Sequence, residues 1–142
     1  MITLAQARTI VDRALAHARI HGFPPMTIAV LDAAGQLVAF AREDSSSLLR
    51  ERIARGKAHG ALNMGVGSRS LAARAAAHPA FVNSLVSLAD GNLVPVAGGV
   101  LIRDENDDVI GAAGVSGHQP DDDEACAIHA ITACDLRPDP GT

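Results

Sequence analysis

His17 and His21 stand four residues apart in MITLAQARTIVDRALAHARIHG, a spacing that puts both imidazoles on one face of a helix. Imidazole is a common metal ligand, so the pair could hold an iron or another transition ion. It also fits an ordinary, partly exposed pair, because no acid or cysteine completes a set beside it. The second chemically rich stretch is GAAGVSGHQPDDDEACAIHA, residues 111–130. Ser116 and His118 fall where a strand should end, beside a helix start whose free N–H groups attract anions. Gly114 and Gly117 let the backbone run close to a ligand or to another strand. Pro120 suits the first helical position, and Asp121, Asp122, Asp123 and Glu124 occupy the first turn. The helix dipole favours such acids by about 0.3–1 kcal/mol each. Three aspartates in one turn repel one another, so at least one is expected to turn inward to a base. The spacing supports no Ser-His-Asp catalytic arrangement.

Three further positions bear on chemistry. Lys57 sits in a glycine-interrupted helix, either solvated or brought to the sheet edge as a base. Gly98-Gly99 precedes an apolar strand and either leaves room for a planar ligand or forms a bulge. A pocket between the strand end and the last helix would be served by Arg42, Lys57, Ser116 and His118. There a cationic side chain could hold a carboxylate while His118 moves a proton. His59, His78 and His129 read as structural or surface residues.

The elements that must position these groups follow from periodicity. Residues 3–21 form a helix capped by Thr3, with Leu4, Ala7, Val11, Ala14 and Ala18 as its apolar stripe. Gly22 ends it and Pro24-Pro25 forbids continuation. TIAVLD (27–32) and LVAFAR (37–42) flank a glycine turn as a hairpin, and their weak alternation implies that both faces are covered. A helix runs from Leu48 to about Met64, although Gly56, Gly60 and Gly65 weaken it by about 1 kcal/mol each relative to alanine. Short helices follow over 68–77 and 80–88. VAGGVLIRD (96–104), the turn ENDD and VIGAAGVSG (109–117) make a second hairpin, and the last helix spans about 120–135. The order predicts a single α/β (α+β) domain over 1–136, a central antiparallel sheet built from two hairpins and flanked by helices. Residues 137–142 are polar and rich in Pro and Gly, and are expected to fray as a flexible tail.

Composition narrows the function. Alanine dominates the 142 residues, with three Phe and no Trp or Tyr, so each buried side chain contributes little area and subunit contacts are expected to add stability. A net charge of −4, scattered basic residues and no aromatic platforms argue against nucleic-acid binding. No window approaches the length of a membrane span, and the N-terminus lacks a signal-peptide core. Cys126 and Cys134, eight apart, form neither a CxxC motif nor a disulfide framework, so a reduced state and a cytoplasmic location are expected.

TIAVLDAAGQLVAFARED, GKAHGA and above all PVAGGVLIRDENDDVIGAAGVSGHQPDDDEACA together resemble the GlcG/HbpS-like family of haem-binding or haem-degrading proteins, which includes the C-terminal domain of PduO-type proteins. The resemblance covers most of the chain. It implies a haem (tetrapyrrole)-binding protein acting in haem storage, sensing or degradation, and assembly with itself into ring-like homo-oligomers. The matching positions are Asp32, Gly35, Arg42, Lys57, Gly98, Gly99, Ser116, Gly117, Asp123 and Glu124. His118 stands where the family often has a small residue, Pro95 precedes the glycines instead of following them, and the ExxE-type iron motif of some members is absent. No Cys or Met offers itself as an axial ligand, which leaves His17, His21 or His118 for a haem iron. The discriminating feature is His17: facing the sheet, it is placed to ligate haem. Two alternatives remain open: a small-metabolite enzyme acting on a carboxylate or carbonyl substrate through Lys57 and His118, and a non-catalytic oligomeric accessory protein.

Overall fold

The computed structural model describes all residues 1–142. Helix α1 (Leu4–Ile20) is followed by strands β1 (Thr27–Asp32) and β2 (Leu37–Arg42), then helices α2 (Arg50–Met64), α3 (Ser68–Ala77) and α4 (Pro79–Leu88). Strands β3 (Gly99–Arg103) and β4 (Val109–Ser116), helix α5 (Pro120–Ala133) and strand β5 (Arg137–Asp139) complete the chain. The sheet order is β2-β1-β4-β3-β5, antiparallel throughout. The predicted α+β domain with two hairpins is therefore the observed one. Thr3 caps α1 in a reciprocal box with Gln6, satisfying N–H groups that the helix cannot. Gly22, at φ +67°, turns the chain away after the C-cap.

Alternation along the strands divides the core into two layers. Ile28, Val30, Val100, Ile102, Ala113 and Val115 face α1 and α5, which present Ala7, Ile10, Ala14, Ala18, Cys126, Ala127, Ala130 and Ile131. The opposite face carries Leu31, Leu101 and Ala112 against Ala58 and Ala61 of α2. That second layer is thin because α2 lies almost on the strand backbone. A Cβ at Gly114 would come within 1.9 Å of the Ala54 carbonyl oxygen, and one at Gly99 within 2.2 Å of the Lys57 carbonyl oxygen. Glycine is required at both positions by contact.

Two expectations need correction. β2 is an edge strand, and its ends, Leu37 and Arg42, are exposed, so it is not covered on both faces. Val38, Ala39 and Ala41 pack towards α1, whereas Phe40 has the Arg55 guanidinium over its ring at 5.8 Å. The tail is also not frayed throughout. Arg137–Asp139 pairs with β3, and Arg103 Nε donates to Asp139 Oδ2 at 2.9 Å. Pro138 is tolerated because β5 is at the sheet edge.

Candidate functional site

The last turn of α1 and the middle of α5 bring imidazoles together. The His17 ring lies 4.1 Å from that of His21 and 4.5 Å, stacked, from that of His129. Phe23 extends the group, with ring centroids 5.6 Å from His21 and 5.2 Å from His118. Each member is held by its own element. Arg19 Nη2 donates to the carbonyls of Phe23 and Pro24 at 2.7 and 2.8 Å, while Arg19 Nε pairs with Glu43 Oε2 at 3.0 Å, which pins the turn carrying Phe23. His21 Nδ1 lies 2.9 Å from the His17 carbonyl oxygen. A carbonyl only accepts, so Nδ1 is the donor in this contact and Nε2 is the ring nitrogen left for a ligand. Burial, then the charges of His21 and His129, hold the His17 imidazole below its ordinary pKa, so the neutral form is favoured at pH 7.

His17 does not face the sheet. The buried stripe of α1 is Ala7, Ile10, Val11, Ala14 and Ala18, and His17 lies beside it, half-buried against α5. The condition set for haem ligation by His17, that it face the sheet, is therefore not met; the ring lies instead at the edge between α1 and α5. His17 stacks on His129 and lies tilted to His21, and no set of three His, Cys, Asp or Glu side chains converges to hold a bare ion.

The inward acid expected in the first turn of α5 is Asp123, and its base is Lys57. Lys57 Nζ donates to Asp123 Oδ2 at 3.0 Å and to the Val115 carbonyl at 2.9 Å, with the two side chains 2% and 1% exposed. Burial pushes the ammonium below its ordinary pKa and the Asp123 charge pulls it back up. Asp123 Oδ1 also accepts from the backbone N–H of His118 at 2.8 Å, which fixes the loop presenting that ring. His118 Nε2 lies 3.4 Å from Asp122 Oδ2.

The remaining sequence candidates fall into structural roles. Glu124 accepts from Arg69 Nε at 2.9 Å, and Arg69 also reaches Asp121, so both acids tie α5 to α3. The space above Gly98 is taken by Lys57, whose Nζ lies 2.8 Å from where a Cβ would sit, and that above Gly99 by the α2 backbone. Neither glycine leaves room for a planar ligand. Gly117 packs on Met26 in the same way. Ser116 Oγ accepts from Arg50 Nη1 at 3.1 Å, and Arg42 donates to the Ser46 carbonyl. The pocket expected from Arg42, Lys57, Ser116 and His118 does not form as drawn, because Lys57 is sealed and His118 turns towards Phe23.

From sequence His129 read as a structural or surface residue, and Arg50 and Arg69 were not singled out. His129 stands on α5 with alanines around it, and only the packing of α5 on α1 reveals its partner. Arg50 and Arg69 were visible only as members of scattered basic positions.

The fold is shared with solved structures. A PduOC protein solved as a complex with haem superposes with a TM-score of 0.85 at 24% identity, over 95% of this chain and 96% of that one. The ORFY protein of Klebsiella pneumoniae gives 0.84 at 24% identity over 94% and 90%, and HbpS gives 0.81 at 24% over 93% and 89%. Among curated proteins none matches the chain in sequence. The family profile described as haem degrading protein HbpS-like matches residues 2–132, nearly the whole chain, and the chain therefore belongs to the HbpS-like family.

Proposed function

We propose that this protein binds haem on the face formed by His17, His21, Phe23, His118 and His129, with His17 or His21 as the iron ligand. The observation that carries the reading is the imidazole stack at the α1–α5 edge. One member, His21, has its Nδ1 engaged by a backbone carbonyl, which leaves Nε2 as its available nitrogen, and another, His17, is held below its ordinary pKa by its surroundings. A porphyrin takes one or two axial nitrogens and stacks on flat side chains, whereas a bare ion needs converging donors that this cluster lacks. Imidazoles and Phe23 thus supply the flat surface that a chain without Trp or Tyr cannot otherwise offer. Bound haem supplies a redox-active iron. The protein's own part is to ligate it and to hold His118 near it through Asp123.

Of storage, sensing and degradation, the family description favours degradation. Self-association belongs to the same reading: Phe81 and Leu88 of α4 are 50% and 80% exposed, and Leu48 and Ile20 are also open. A cytoplasmic site of action fits the two unpaired cysteines. None of the helices is long and apolar enough to cross a membrane.

The test is an absorbance titration with haemin on wild type, His17→Ala, His21→Ala, the double variant and His118→Ala. A saturable, shifted Soret band that the double variant loses supports ligation on α1, and the single variants identify the ligand. A band that survives the double variant moves the ligand to His118 or His129. The absence of any saturable band refutes the reading. Incubating the loaded protein with ascorbate under air, with catalase present, then separates degradation (a Soret band lost with iron release) from storage.

A further inference from the structure

Across the sheet from the imidazoles, the strand ends carry polar groups that the haem reading does not use. Thr27 opens β1, pairs in register with Arg42 of β2 and Ser116 of β4, and shares their α2-facing side. Its hydroxyl is fully buried and has no hydrogen-bond partner. An unpartnered buried hydroxyl costs about 1–3 kcal/mol, so something is expected to satisfy it.

The 15-residue helix α2 begins at this point. Its first residue, Arg50, reaches Ser116 Oγ at 3.1 Å, which places the helix N-terminus at the strand ends. Leu49 provides no side-chain cap, and the backbone N–H groups of Glu51 and Arg52 have no acceptor. Arg50 has no carboxylate partner among the ion pairs of the protein. It is only half-buried, so the guanidinium nitrogens not used by Ser116 remain reachable. Arg42, on the same sheet face, also lacks an acid partner and adds positive potential. Of the nearby acids, Glu51 in the first turn of α2 pairs with Arg55, Glu43 is committed to Arg19 and to the Met26 N–H, and Asp123 to Lys57 and the His118 N–H; Asp44 is exposed.

We propose that this end of the sheet is a carboxylate-binding site made of Arg50, the first N–H groups of α2, and the hydroxyls of Thr27 and Ser116. A carboxylate suits it by shape: a planar group with two acceptor oxygens matches a guanidinium fork, and a helix N-terminus favours its charge. The Thr27 hydroxyl gains an acceptor, and the anion offsets the repulsion between Arg50 and Lys57. The carboxylate can come from a free small acid or from a haem propionate, and the proposal does not depend on haem being bound.

The experiment is a heteronuclear NMR titration of the isotope-labelled full chain with sodium acetate, against sodium chloride at equal ionic strength. The expected result is saturable movement of the Thr27, Ser116, Glu51 and Arg52 amides by acetate alone. Affinity should fall at least tenfold in Arg50→Gln and severalfold in Thr27→Val, with far-UV circular dichroism confirming that both variants fold. A second arm compares haemin with its dimethyl ester on wild type and Arg50→Gln. A tenfold preference for the free acid that vanishes in Arg50→Gln identifies a propionate as the occupant. Equal binding of acid and ester, with acetate still bound, identifies a small acid. Acetate binding without any haemin binding supports this site and sinks the haem reading alone. The proposal is overturned if neither acetate nor the propionates distinguish wild type from Arg50→Gln.

Discussion

Replacing Lys57 by methionine keeps the length and volume of the side chain and removes its charge. The cost can be worked from three contacts. Asp123, 1% exposed, loses the ammonium at 3.0 Å, and the Val115 carbonyl loses a donor at 2.9 Å. Only the His118 N–H, at 2.8 Å, still faces the carboxylate. Removing one partner of a buried pair costs about 3–5 kcal/mol, because the other charge is left in a poorly polarisable interior. That is a large part of the roughly 5–15 kcal/mol that holds a domain folded. With a urea dependence of about 2 kcal/mol per molar, the midpoint should fall by about 2 M. Far-UV circular dichroism must follow it, since the chain has no Trp or Tyr. Asp123→Asn keeps an acceptor for His118 and should cost less than Lys57→Met. In the double variant no uncompensated charge remains, so its loss should fall short of the sum of the single losses by about 2 kcal/mol or more. A Lys57→Met loss below about 1 kcal/mol, or strict additivity in the double variant, would refute the view that the pair is a coupled, desolvated unit.

Three other perturbations test separate parts of the molecule. His17 has a lowered pKa in the folded chain, so the unfolded chain takes up its proton first as the pH falls; wild type should lose stability below about pH 6.5, and His17→Ala should lose less, judged by urea midpoints at pH 8 and 5.5. A pH dependence identical in both proteins would show that the stack carries no protonation penalty. Cys126 is buried, and its thiol is pushed up to about 12 by burial and then by nearby acids, so a maleimide should modify Cys134 first and Cys126 only on unfolding, as read by mass spectrometry of digests. Gly114→Ala places a Cβ 1.9 Å from the Ala54 carbonyl oxygen and must lift α2 from β4; at least about 3 kcal/mol should be lost, against about 1 kcal/mol for Gly91→Ala, where only the backbone angle objects.

Local signals made the framework readable, and contacts across the fold remained hidden. The cap at Thr3, the stop at Gly22 and the break at His78-Pro79 are written in adjacent residues, and the structure places each element boundary within a few residues of them. β5 was missed because a charged, proline-containing triplet has no periodicity of its own and becomes a strand only where β3 offers an open edge. His17 and His21 were visible as a pair because the helix repeat joins them. His129 joins them only through the crossing of α1 and α5, which no spacing encodes. Lys57 and Asp123 stand 66 positions apart, so each could be suspected of facing inward without its partner being identifiable.

The contact between α2 and the sheet depends on small residues, glycine on the strands and alanine on the helix. With glycine at 99 and 114, the α2 backbone descends until it touches the strands, and the Lys57 side chain has only the channel beside Gly98 to occupy. That channel leads its ammonium to the end of β4 and to Asp123 in the first turn of α5. The other oxygen of Asp123 holds the His118 backbone, and the His118 ring lies against Phe23 in the imidazole group. The glycine pair, the lysine and the acidic turn thus form one continuous support from the α2 face to the proposed haem face on the opposite side. A larger residue at any of the glycines would part α2 from the strands and draw Lys57 from Asp123. Glycine at 98, 99 and 114 is therefore the condition under which this chain can bury a cation and use it to position a loop at its candidate site.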